Sequence, residues 1–321
     1  MTFKMCKLII TLFFLTNGQN LYAQIKLHTE DLPRFYQAFD SVLTTNDSIK
    51  QIEFINKLYV DKASQGLKEF MVRRGGNSIE WRKLILTQKE SLLEKRPWIM
   101  SVLDQQKTIE EKLKRYKELY PNFRDGDIYF CVGINNSGGT TFDKTVYIGT
   151  EVLASNKKNW AVSLVLHEFT HTQQWTQRNI TKLINDEKFL KEYEKTHTQL
   201  LGKCIEEGMA DFFSELVNGE SLAKTNPKGQ TAFGLKHESE IWELFKKEMS
   251  LTSNWSDVWL YSKGEFNGEK ISDLGYFIGH QICKSYYRNS KNKKQALEEM
   301  LATNLTNDNA IKFLETSKYG Q

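Results

Sequence analysis

The sequence predicts a predominantly helical α+β protein. Three observations carry that reading. Apolar residues recur at helical spacing through most of the chain, two short β-rich runs interrupt the pattern between residues 127 and 148, and a His-Glu-x-x-His pentapeptide follows them within an apolar helix.

The elements follow in chain order. Residues 1–23 read as a signal peptide: Lys4 and Lys7 form a basic start, Leu8 to Leu15 an apolar stretch, and Leu21-Tyr22-Ala23 a small-residue exit. The chain is therefore expected to be exported and to lie in the periplasm or outside the cell after cleavage. Cys6 precedes the apolar run instead of following it, unlike a lipid-attachment cysteine. No later segment approaches the roughly 20 apolar residues of a membrane-crossing helix, so no span is expected in the mature chain. Removing the two lysines of the leader lowers the formal charge from +4 to +2. Such a balance gives no electrostatic footprint for nucleic acid. Cys131, Cys204 and Cys283 are too sparse for a disulfide scaffold, and one bridge among them cannot be assigned from sequence.

The mature chain, 24–321, reads as a single unit in three parts. A helical N-terminal part covers 24–120, opening at Asp31-Leu32-Pro33, with Phe35, Phe39 and Val42 and then Ile52, Ile55 and Tyr59 at helical spacing. Pro121 and Asp125-Gly126 end it. A central part, 121–178, holds the β-rich runs Asp127 to Val132 and Thr145 to Ile148 around a loop with Gly138-Gly139, then an amphipathic helix over Asn159 to Trp175. A helical C-terminal part covers 179–321, with Asn218-Gly219 as an internal stop.

The most specific chemistry lies in His167-Glu168-Phe169-Thr170-His171. Residues four apart share a helical face, so two imidazoles there can grip one metal ion. Glu168 sits about 100° around the helix, where its carboxylate addresses a metal-bound water as general base. A hydrolytic zinc site takes three protein ligands and leaves one position open. Glu207, in Glu206-Glu207-Gly208-Met209-Ala210-Asp211, is the expected third ligand, with Glu206 as rival. Asp211, one turn on, is placed to orient a ligand histidine. Cys204, one turn before Glu207, is read either as a neighbour of the metal or as a buried inert thiol. Tyr276 and His280, also four apart, are candidates to steady an oxyanion, while core packing explains Tyr276 equally well.

His167-Glu168-x-x-His171 followed by Glu207-Gly208-Met209-Ala210-Asp211 resembles the gluzincin metallopeptidases. The resemblance implies a zincin-like core, an active-site helix beside a small sheet, with Glu207 as third ligand and Asp211 supporting His167. More narrowly, Phe35 to Asp40, Gly138 to Thr141, the histidine motif, Glu207 to Asp211 and Gly275 to Gly279 resemble an exported bacterial family of predicted zinc-dependent proteases. The thirty-five residues between His171 and Glu207 exceed the thermolysin spacing. In zincin-like folds an edge strand beside the metal aligns substrate, a role expected here of Thr145 to Ile148.

The sequence thus leads to one expectation, a single-zinc metallopeptidase acting on a peptide or protein substrate, with endo- and exo-cleavage both open. Three alternatives stand beside it: a non-catalytic zinc protein, a surface-associated binding or motility factor without activity, and a zinc hydrolase of non-peptide amides or esters.

Overall fold

The computed structural model describes residues 25–321; the expected signal peptide lies outside the described residues. The N-terminal part is a stack of short helices whose starts follow local capping chemistry. Helix Asp31–Val42 has Pro33 in its first turn, where no intrahelical N–H is needed. Asp47 accepts the N–H groups of Ile49 and Lys50 to start Ser48–Ile55, Ser64 starts Gln65–Arg74, and Asn77 starts Ser78–Thr87. The long helix Val102–Leu119 closes this part.

Strands β1 (Leu27–His28), β2 (Ile128–Cys131), β3 (Gly139–Phe142) and β4 (Thr145–Gly149) form one mixed sheet in the order β1-β2-β4-β3. β2 runs parallel to both β1 and β4, and β3 returns antiparallel along β4. The N-terminal helices are tied to the sheet where β2 ends. Tyr59 donates its hydroxyl proton to the Val132 carbonyl at 2.7 Å, and the Trp81 indole N–H donates to the Gly133 carbonyl at 2.8 Å. These bonds satisfy backbone groups that would otherwise be buried unpaired.

The β-rich runs differ from expectation in one respect: the connecting loop contains a strand. Gly139-Thr140-Thr141-Phe142 follows Gly138 and reads as part of the loop, but pairing with β4 makes it a strand. β4 is consequently interior and β3 is the edge, which corrects the edge-strand assignment to Thr145–Ile148. A separate two-stranded hairpin, β5 (Gly264–Phe266) and β6 (Glu269–Ile271), lies in a stretch read as helical.

The motif helix, Trp160–Gln173, packs against β3, β4, Val102–Leu119 and the long helix Leu200–Asn218. Its apolar face, with Ala161, Val162, Val165, Leu166 and Phe169 all buried, fixes it rigidly. Leu200–Asn218 packs in turn on Leu274–Asn289. Residue numbers rise together along this contact, Cys204 facing Gly275 and Glu215 facing Lys284, so the two helices run in the same sense. They meet through glycine: a Cβ on Gly208 would strike the backbone of Gly279, and one on Gly279 the carbonyl of Cys204. Buried apolar residues from Leu32 to Leu314 form one contiguous cluster around these helices and the sheet. Cys131, Cys204 and Cys283 are buried free thiols. Among the described residues, no helix is long and apolar enough to cross a membrane.

Candidate metal centre

His167 and His171 project from one face of the motif helix, as four-residue spacing requires, with their Nε2 atoms 3.1 Å apart. Glu207 enters from Leu200–Asn218. Its Oε2 lies 3.5 Å from Nε2 of His167 and 3.3 Å from Nε2 of His171.

The remaining ring nitrogens fix the tautomers. Nδ1 of His167 donates to Oδ1 of Asp211 at 2.8 Å. Nδ1 of His171 donates to Oε1 of Gln174 at 2.8 Å, and the Gln174 amide is oriented because its Nε2 donates to the Glu206 carbonyl at 2.7 Å. When the imidazoles are neutral, both Nε2 atoms therefore present lone pairs to each other and to a carboxylate oxygen. Three electron-pair donors held this close repel unless a proton or a metal cation lies between them.

Their separations suit one. Tetrahedral ligands bonded at about 2.0–2.1 Å stand roughly 3.3 Å from one another, and the observed edges are 3.1, 3.3 and 3.5 Å. These three residues are the one group of metal-ligand type with converging donor atoms among the described residues. Two imidazoles and one carboxylate are borderline donors that suit zinc.

A proton meets the same demand. Burial alone would lower the pKa of both histidines, but Asp211 and Glu207 outweigh it at His167, which rises well above its usual value. Glu207 likewise lifts His171 to about 9. Burial would raise the Glu207 carboxyl, yet the two histidines hold it well below the ordinary carboxylate range. Glu168 is pushed up by burial, with the histidines offsetting only part of that effect. It lies on the β3 side, where a Cβ on Gly139 would collide with its carboxylate.

Of the other residues singled out in the sequence, Asp211 stands behind His167, and its second oxygen is buried without a partner. The Tyr276 ring lies on that of His167, with centroids 5.9 Å apart and planes 17° apart, and burial followed by the Glu207 charge raises its hydroxyl pKa. His280 does not join the group. It is 1% exposed, one turn further along, with Nε2 3.5 Å from Oε2 of Glu215. Spacing gave Tyr276 and His280 a common face, but about two helical turns separate Glu207 and Glu215, the residues of Leu200–Asn218 that they meet. Glu206 points away and accepts from the Thr176 hydroxyl at 2.8 Å.

Two contributors escaped the sequence reading. Gln174, three residues after His171, was detectable by helical spacing. Tyr261, whose hydroxyl donates to Oε1 of Glu207 at 2.5 Å, arrives from a non-helical segment and has no local signal.

Fold and site together define a mostly helical protein with a mixed four-stranded sheet and a half-buried His-His-Glu cluster that could hold a metal ion. Residues 19–321 match the family described as Gliding motility protein GldB. The chain belongs to that family, and membership makes it an exported, envelope-associated protein. No curated protein and no solved structure matches it.

This finding corrects the expected recognition, function and enzyme class. The chain belongs to a motility family and not to the gluzincins or another zinc peptidase family, so the readings as hydrolase and metalloprotease fall. The physical reason is that a His-x-x-x-His pair with a downstream glutamate specifies how a cation is held. It does not by itself specify a reaction.

Proposed function

We propose that this chain is a non-enzymatic component of a gliding apparatus, placed on the periplasmic or outer face of the envelope, in which His167, His171 and Glu207 hold one zinc ion. The observation that supports the zinc is the convergence of two imidazole lone pairs and a carboxylate oxygen, each backed by a fixed partner. On this reading the ion ties the motif helix to Leu200–Asn218 and stabilises the face that meets a protein partner of the apparatus. As to fold, we take the motif helix beside the mixed sheet as a zincin-like core serving as scaffold, and residues 24–321 as its single unit.

A bound zinc ion would supply positive charge where the cluster lacks it, and Asp211 and Gln174 would keep both rings turned inward. Two measurements test this together: zinc content of the purified protein, and gliding of cells that depend on the wild type, on Glu207→Ala or on Glu168→Gln. Zinc and gliding lost with Glu207→Ala, and both kept with Glu168→Gln, is the expected result. Zinc-free wild type after equilibration with the metal would sink the zinc reading. Gliding lost with Glu168→Gln in a folded, zinc-bearing protein would sink the non-enzymatic one.

A further inference from the structure

Tyr261 adopts a left-handed backbone, φ +60°, that aromatic residues rarely take. Such a conformation costs about 1–3 kcal/mol and persists only where its surroundings impose it. The surroundings here are the start of helix Leu274–Asn289. The Tyr261 N–H donates to Oδ1 of Asp273 at 2.9 Å, and the N–H groups of Leu274 and Gly275 donate to the carbonyls of Val258 and Trp259, each at 2.9 Å. The turn is thus anchored to the helix that carries Tyr276.

Packing does not account for it, because Tyr261 is 72% exposed. Only the end of the side chain is engaged. Its hydroxyl donates to Oε1 of Glu207 at 2.5 Å, and its ring meets that of Tyr276 edge-on, with centroids 6.4 Å apart. The other oxygen of Glu207 faces the two histidines.

We infer that Tyr261 is the positioning residue for Glu207, occupying Oε1 so that Oε2 alone addresses the gap between His167 and His171 and the carboxylate ligates through one oxygen. The inference rests on the zinc reading and adds how the third ligand is kept in geometry. Without the hydroxyl, Oε1 is free to turn toward the cation, which alters both coordination number and affinity.

The test uses zinc and cobalt(II) with wild type, Tyr261→Phe and Tyr261→Gly. Affinity is read by chelator competition and geometry by the visible spectrum of bound cobalt. Tyr261→Phe is expected to bind about tenfold more weakly and to shift the cobalt spectrum toward higher coordination, with the melting temperature of metal-free protein unchanged. Tyr261→Gly accepts the left-handed turn, so it should show the same metal phenotype in a metal-free fold at least as stable as wild type. If wild type binds neither metal, the zinc reading and this inference fall together. If wild type binds zinc and Tyr261→Phe matches it in affinity and cobalt spectrum, Tyr261 has no positioning role and the zinc reading stands.

Discussion

Helix Leu200–Asn218 carries two histidine–carboxylate clusters two turns apart, and they are closed in different ways. At Glu215 the charges balance within the chain. Its Oε1 accepts from Lys284 at 3.0 Å, its Oε2 accepts from the Leu222 N–H at 3.0 Å, and His280 lies alongside. At Glu207, among the described residues, no lysine or arginine pairs with the carboxylate, and the basic groups turned on it are the two imidazoles. Similar residue types on one helix thus make a self-sufficient ion network in one place and an incomplete site in the other. What separates them is whether a lysine completes the cluster.

The largest expected effect removes the comparison altogether. Gly208→Val puts side-chain atoms into the Gly279 backbone and should cost on the order of 4 kcal/mol or prevent folding. Chemical denaturation measures it, and both clusters should be lost together.

Metal removal comes next and should affect only one cluster. With free zinc at about 100 to 1,000 times Kd, binding adds roughly 3–4 kcal/mol to stability. Chelation should therefore lower the melting temperature of the wild type and of Glu215→Gln, and leave Glu207→Ala unmoved. A chelator effect on Glu207→Ala equal to that on wild type would show that the cation sits elsewhere.

A smaller difference is expected from the residues behind the histidines. Asp211→Asn should weaken zinc binding by about 10- to 100-fold, since it no longer imposes the tautomer of His167. His280→Asn should leave zinc affinity unchanged. Equal losses would erase the distinction drawn between the two clusters.

The smallest effect is electrostatic. Burial would raise the Glu215 carboxyl, but His280, the Leu222 N–H and Lys284 outweigh it and hold the pKa at about 2. The folded value lies below the unfolded one. The stabilisation is therefore complete above the usual carboxyl range, near 4.5, and is lost as pH falls from there toward 2. Solvent screening limits it to about 1–2 kcal/mol. Glu215→Gln should flatten that part of the acid-denaturation curve, and an unchanged curve would mean the network contributes nothing.

The sequence made some of this visible and hid the rest for identifiable reasons. His167 and His171 were legible because helical spacing is a local property, and Glu207 with Asp211 was legible as a pair one turn apart. The partner of His280 was not, because helical phase gives a face and not the neighbour across it. β3 escaped because its strand character depends on pairing with β4. Tyr261 escaped because a left-handed turn fifty-four residues from Glu207 leaves no trace near the motif. The reaction class was the largest error: ligand geometry is shared by proteins that hydrolyse and proteins that do not.

The glycine crossing of Leu200–Asn218 and Leu274–Asn289 has a mechanical consequence for a member of a motility family. With backbone against backbone at Gly208 and Gly279, neither helix has room to creep along the other. One residue of axial slip is about 1.5 Å, whereas a metal–ligand distance tolerates about 0.2 Å. On the zinc reading, an axial shift of Leu200–Asn218 would draw Glu207 away from His167 and His171, so the crossing that pins this helix also guards the geometry of the centre.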